Sequence, residues 1–259
     1  MLFVLSPAKS LDYDSPVPIK IAPTTPQFIP RSVELIDTLK TKSVSDVAAL
    51  MDLSDSLATL NVGRYAAWSP RFTAKNSKPA VFAFNGDVYD GLAAATLSAA
   101  DLAWAQEHVA ILSGLHGVLR PFDRLQPYRL EMGTPLATAH GRNLYDFWGD
   151  TIAEHLNARV AADKTPVIVN LASQEYFRAA DRRALAPRVI ECVFEDWKGG
   201  RYKVISFFAK KARGLMARYA IRKRIATPRR LEGFDLEGYA FAPAASDPDR
   251  LVFRRRLAG

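Results

Sequence analysis

Eight side chains in this sequence are of the types that move protons or hold anions, and they fall into four short polar clusters. Lys9 lies in SPAKSLDY, Asp87 and Tyr89 in FNGDVYDGL, and Ser173 and Glu175 in NLASQEYF. Arg120, Tyr128 and Glu131 lie in SGLHGVLRPFDRLQPYRLEMG, where Pro121 and Pro127 stiffen the loop and hold the guanidinium groups in set directions. A lysine or carboxylate can act as general acid or base, and arginine grips phosphate or carboxylate with a planar fork. If these groups converge in one cleft beside the cationic run described below, they could bind and transform a phosphorylated or nucleotide-like small molecule. Simpler structural roles fit some of the same residues. Ser6 before Pro7 reads as a helix N-cap with proline at the first helical position, and Ser173 as another cap with Glu175 in its first turn. Ser6–Lys9 matches S-x-x-K, but the companion motifs S-D-N and K-T-G are absent, and so are the G-x-x-x-x-G-K-[ST] and G-x-G-x-x-G nucleotide cradles.

A second kind of chemistry is concentrated further along. FFAKKARGLMARYAIRKR, Phe207–Arg224, carries seven cations (Lys210, Lys211, Arg213, Arg218, Arg222, Lys223 and Arg224) and no acid. From Trp197 to Leu231 there are twelve basic residues and no acidic one. The chain holds 35 Lys and Arg against 27 Asp and Glu, so outside this segment it is net acidic. Charge of one sign gathered in one place points to a polyanionic partner. On a helical wheel, Phe208, Ala212, Leu215 and Tyr219 form one apolar stripe, and Gly214, Ile221 and Ile225 a second. Between them Lys211, Arg218 and Arg222 make one cationic row, and Lys210, Arg213 and Arg224 another. A helix with two apolar faces is embedded, so its cations are expected to line a groove.

Other chemistries find little support. The single cysteine, Cys192 in RVIECVFEDW, reads as a small buried residue of a strand and fits a reducing cytoplasm. The four histidines show no metal-ligand spacing, so neither a metal centre nor a cofactor is expected.

Strand-like runs rich in β-branched and aromatic residues must position these groups. They occur at Leu2–Leu5, Pro79–Phe84, Val109–Leu112, Pro166–Asn170, Val189–Phe194, Tyr202–Phe207, Gly238–Phe241 and Leu251–Arg255. Helical periodicity appears at Ser32–Lys40, Ser45–Met51, Asp55–Trp68, Ala100–His108, Tyr145–Ala162 and Phe208–Ala226. The mixture lacks a regular βαβ rhythm and predicts a mixed α/β (α+β) fold, a central mixed sheet flanked by helices, as one domain over residues 1–259. Five prolines in residues 16–30 predict an extended strap. Within residues 44–68, two helical runs flank Asp52–Ser54, with Val47, Leu50, Met51, Leu57, Ala58 and Leu60 expected between them. This pattern suits either an ordinary αα-corner or a helix-hairpin-helix element that grips a DNA phosphate with backbone amides. The hairpin glycine of such elements is missing, and Asp52 and Asp55 would repel phosphate. No apolar run approaches membrane-spanning length, and MLFVLSPAK reads as a first strand instead of a signal peptide.

Taken in order, SPAKSLDY, FNGDVYDGL, LSGL–GVLRP–D–QPYRLEMG, LYDFWGD, NLASQEYF and ISFFAKKARGLMARY resemble the peroxide stress protein YaaA family, from Ser6 to Tyr219. The resemblance implies a cytoplasmic bacterial protein that limits oxidative damage by lowering unincorporated iron during peroxide stress. It also implies a one-domain mixed α/β fold with a basic cleft, a helix-hairpin-helix element, and binding to double-stranded or bent DNA. Read with the charge map, it leads to an expected partner: double-stranded DNA, held with weak sequence specificity through Lys210, Lys211, Arg213, Arg218, Arg222, Lys223 and Arg224. A monomer without a membrane partner or a stably bound metal is expected. An enzyme using the strand-end clusters is the alternative.

Overall fold

Three runs, LFVL at Leu2–Leu5, VAILS at Val109–Ser113 and VIVNL at Val167–Leu171, carry apolar residues without polar alternation and are buried at every position. That pattern is required of strands covered on both faces. In the computed structural model, which describes residues 1–256, the three lie side by side and parallel. Val4 pairs with Ala110 on one side and with Asn170 on the other. Arg188–Lys198 adds in parallel next to Val167–Leu171, and Arg250–Arg255 in parallel beyond it. Antiparallel segments finish the sheet: Gly117–Leu119, Ala240–Phe241, and Arg201–Lys203 folded back onto Arg188–Lys198. The result is an eight-stranded mixed sheet flanked by helices, the class that the sequence predicts. Cys192 is buried in the Arg188–Lys198 strand, as expected of a small apolar residue, and burial pushes its thiol pKa up.

The order of strands opens a crevice at one edge of the parallel core. After Leu2–Leu5 the next sheet strand is Val109–Ser113 on one side; after Val167–Leu171 it is Arg188–Lys198 on the other. Adjacent parallel strands whose connections diverge leave a crevice outside their carboxyl ends.

The basic segment forms a helix over Ser206–Lys223, with Ala212, Leu215, Gly214 and Ile221 buried on the two faces read from the wheel. It packs most closely against the short helix Asp87–Leu92. A Cβ on Gly214 would lie 1.8 Å from the Val88 carbonyl oxygen, and one on Gly91 would lie 2.1 Å from that of Lys211. The two backbones therefore touch, and only glycine fits at either position.

Several elements depart from expectation. Pro79–Phe84 is a single helical turn, Ala80–Ala83, between the two-residue strands Lys78–Pro79 and Phe84–Asn85. A short apolar run has no period that separates strand from buried helix. Tyr145–Ala162 divides into Leu144–Trp148 and Thr151–Val160 at Gly149, whose φ of 50° ends the first helix. Of the expected strand Tyr202–Phe207 only Tyr202 and Lys203 pair into the sheet, as the end of Arg201–Lys203, because the basic helix begins at Ser206. Ser6 and Pro7 start no helix, since the chain continues irregularly to the short strand Ser10–Leu11. The proline-rich stretch has no helix until Ile29–Lys40, where Pro30 occupies the first turn. Among the described residues no helix is long and apolar enough to cross a membrane.

Candidate functional site

The crevice between the ends of Leu2–Leu5 and Val167–Leu171 is bridged by serines. Ser173 donates its backbone N–H to Ser6 Oγ at 2.8 Å, and Ser6 Oγ lies 3.4 Å from Ser173 Oγ. Ser173 also caps the helix Gln174–Phe177, accepting from the Tyr176 N–H at 3.4 Å, as the sequence predicts. The Tyr89 hydroxyl donates to the Ser6 carbonyl at 3.1 Å from a fully buried position. These bonds fix the floor of a cleft of about 450 Å³. Lys9 reaches it from the loop after Leu2–Leu5, Asp87 and Glu175 from the first turns of the helices Asp87–Leu92 and Gln174–Phe177, and Lys210 and Arg213 from the basic helix.

Some of these charges are already committed. Lys9 Nζ sits 2.6 Å from Glu131, whose other oxygen takes the Arg129 guanidinium at 2.9 Å. Glu175 accepts the Gly133 N–H at 2.9 Å. Asp87, Lys210 and Arg213, in contrast, form no side-chain hydrogen bond or ion pair among the described residues. Arg213 is half-buried, and that burial lowers its pKa, with Glu191 nearby acting in the opposite direction. The structure thus brings together Lys9, Asp87, Ser173 and Glu175, with Tyr89 beneath them and Glu131 behind Lys9.

Two expected members stand apart. The strand Gly117–Leu119 runs antiparallel to Val109–Ser113, pairing Leu119 with Ile111, so it carries the chain away from the cleft before Arg120. Arg120 lies at that far end, 3.6 Å from Asp123 and close to Arg159. Placement after a strand-like run did not reveal strand direction. Tyr128 is buried with its hydroxyl 2.7 Å from Ser113 Oγ, and burial raises its pKa. It supports the wall and does not line the cleft.

The seven cations of Phe207–Arg224 also divide. Lys211 pairs with Glu237 at 2.6 Å. Arg218 donates to the carbonyls of Leu92 and Ala93, each at 3.1 Å, and so closes the C-terminus of the helix Asp87–Leu92. Arg224 adopts a left-handed conformation at the end of the basic helix, pairs with Asp101 at 2.9 Å and stacks over Trp104. The two cationic rows read from the wheel are therefore broken, and three of their members serve the fold. Arg222 and Lys223 remain exposed, Lys210 stands at the cleft, and Arg213 turns into it.

One feature escaped sequence reading. Gly199 and Gly200, at φ of 64° and 81°, make a tight hairpin that projects Lys198, Arg201 and Lys203. Beside it Trp197 and Phe207 are 37% and 55% exposed, and the Trp197 ring packs edge-on against Tyr202 at 4.9 Å. The glycine pair between two strand-like runs was its signal.

The pair Val44–Met51 and Asp55–Ala67 forms as expected, with Val47 and Ala58 buried, but Leu57 and Leu60 point outward at 40% and 48% exposure instead of packing between the helices. At the connection the amides of Asp52 and Leu53 both donate to the Ala48 carbonyl, and Ser54 caps the second helix. Those hairpin amides are satisfied within the chain.

Among the described residues no group of three or more His, Cys, Asp and Glu side chains is placed to hold a metal. His116 is buried, with Nδ1 2.9 Å from Ser32 Oγ, and burial lowers its pKa to about 3.

Comparison with known sequences places the chain. The profile of the family described as peroxide stress protein YaaA matches residues 1–245. A UPF0246 protein of Paracidovorax citrulli is 69% identical over 259 residues, covering 100% of both chains. Relatives under the same family name in Polaromonas sp. and Bordetella petrii are 66% and 64% identical, the first covering 100% of both chains and the second 99% of this chain and all of its own. The protein belongs to the peroxide stress protein YaaA family.

Proposed function

We propose that this protein serves the peroxide stress response by binding duplex DNA through phosphate contacts made by the unpaired cations of Trp197–Leu231. The observation that carries this reading is the segregation of charge: twelve cations and no acid in one segment of an otherwise acidic chain. Lys211, Arg218 and Arg224 are held by distant residues, while Lys210, Arg222 and Lys223 on the helix and Lys198, Arg201 and Lys203 on the hairpin are available to a backbone. Lysine and arginine heads contacting phosphate fix position without reading bases, so recognition is tolerant of sequence. The connection Asp52–Ser54 has no part in it, because the Asp52 and Leu53 amides are occupied and the carboxylates of Asp52 and Asp55 stand at it. Limitation of damage from unincorporated iron enters as a consequence of occupancy on DNA.

The test is a salt titration of duplex binding, followed by fluorescence anisotropy on two unrelated sequences. If about six cations meet phosphates, log K falls against log salt with a slope of about −5 on both duplexes. A slope near zero, or an affinity confined to one of the two sequences, would contradict the proposal.

A further inference from the structure

Asp87, Lys210 and Arg213 are charged, face the same cleft and have no partner among the described residues. Their proximity is built into the fold. Asp87 directly precedes Val88, whose carbonyl faces Gly214, and Arg213 directly precedes Gly214. The tightest backbone contact between the two helices therefore fixes where Asp87 and Arg213 enter the lining of the cleft. Arg213 is half-buried, and the nearby Glu191, which also faces Arg250, makes no hydrogen bond or ion pair with it, so its guanidinium donors are left for an anion arriving from outside.

The location supports the same conclusion. The cleft sits outside the carboxyl ends of two adjacent parallel strands whose connections diverge, which is where open α/β sheets take ligands. Its volume of about 450 Å³ suits a small metabolite. The chemistry of the ligand follows from the free groups. Lys210 and Arg213 offer the cleft's unengaged cationic donors, and a dianionic phosphoryl group satisfies both, with the arginine fork taking two oxygens. The Asp87 carboxylate accepts hydrogen bonds, so it selects a neighbouring portion that donates them, such as sugar hydroxyls. Lys9 and Glu175 are occupied by Glu131 and the Gly133 N–H and shape the rim.

We propose that the strand-end cleft is a binding site for a small sugar phosphate, with Arg213 and Lys210 on the phosphoryl group and Asp87 on the hydroxyls. This site and the DNA surface meet at Lys210 but are otherwise distinct, since Arg213 points into the cleft while Arg222 and Lys223 lie at the far end of the helix.

The test is isothermal titration calorimetry of the full chain with ribose 5-phosphate, ribose and inorganic phosphate. Ribose 5-phosphate should bind saturably, inorganic phosphate at least about tenfold more weakly, and ribose not measurably. Arg213→Gln should weaken ribose 5-phosphate about tenfold to a hundredfold, as expected for a charge-assisted pair, and Arg213→Lys, which keeps the charge but loses the fork, should fall between. Asp87→Asn should weaken ribose 5-phosphate but not inorganic phosphate. Far-UV circular dichroism and the melting temperature establish that each variant is folded. Absence of binding by the wild type, equal binding of all three probes, or equal losses in Arg213→Gln and Lys223→Gln would overturn the proposal. Duplex affinity measured on Arg213→Gln separates the two readings: it should be unchanged, whereas its loss together with silence toward ribose 5-phosphate would make the cleft part of the DNA surface.

Discussion

Adding one methyl group at either of two helical glycines should shift stability in opposite directions. Gly63 lies in the helix Asp55–Ala67, and a Cβ there would meet nothing within 4 Å. Gly63→Ala should therefore show only the intrinsic helix preference and stabilise by about 0.5–1 kcal/mol. Gly214→Ala gains the same preference but places its Cβ 1.8 Å from the Val88 carbonyl oxygen and 2.8 Å from the Leu92 nitrogen. Ordinary carbon–oxygen contact begins at about 3.3 Å, so the helices must separate by roughly 1.5 Å. Both opposing atoms are backbone and cannot rotate aside, and Gly91 makes the reciprocal contact with Lys211. Overpacking of this kind costs about 3 kcal/mol or somewhat more. Less the helix gain, the net loss is about 2–3 kcal/mol, which for a chain of this size lowers the melting temperature by roughly 4–6 °C. Scanning calorimetry of the two variants beside the wild type reads both signs. A melting temperature for Gly214→Ala equal to or above that of the wild type would refute the close crossing, and with it the helix contact that sets Asp87 and Arg213 in one cleft.

Arg218→Gln removes two hydrogen bonds that close the helix Asp87–Leu92 and should destabilise by about 1–3 kcal/mol in urea unfolding, while leaving the salt dependence of DNA binding unaltered. His116 and His155 are kept neutral by burial, with pKa values lowered to about 3 and about 4 against an unfolded value of 6.5. The unfolded chain therefore takes up the extra protons, so stability is full above pH 6.5 and declines toward pH 4 by up to about 1.4 kcal/mol per unit for each group. Urea unfolding across that range should show the decline, and His116→Gln should make it shallower. Arg255 is buried with Nε 2.7 Å from Asp196, which also accepts the Tyr239 hydroxyl at 2.8 Å. Arg255→Met should cost about 3–5 kcal/mol by stranding that carboxylate, and adding Asp196→Leu should restore much of the loss in the same assay.

The buried strands were legible because LFVL, VAIL and VIV have no reason to be apolar throughout unless covered on both faces. The two apolar faces of the basic helix were equally plain from their spacing. Strand direction was not legible, and Arg120 was misplaced for that reason: a run of three residues cannot show which way it pairs. Nor could the wheel show which cations are free. Arg218 is spoken for by carbonyls more than a hundred positions earlier, and Lys211 by Glu237 beyond the segment. Those partners exist only once the sheet brings the helix Asp87–Leu92 under Gly214. Ser6 illustrates the opposite case, in which local capping chemistry was available but a tertiary bond to the Ser173 amide took its hydroxyl.

The division between free and committed cations is tested most directly by comparing the salt dependence of duplex binding in two variants. Lys210→Gln/Arg222→Gln/Lys223→Gln removes three exposed charges without touching the buried faces of the helix, and should flatten the slope by roughly 2.7 units with the melting temperature unchanged. Lys211→Gln/Arg224→Gln removes two charges held by Glu237 and Asp101, and should lower the melting temperature while leaving the slope at its wild-type value. An unchanged slope in the folded triple variant, or an equal loss per charge in both, would contradict the assignment of this surface to DNA.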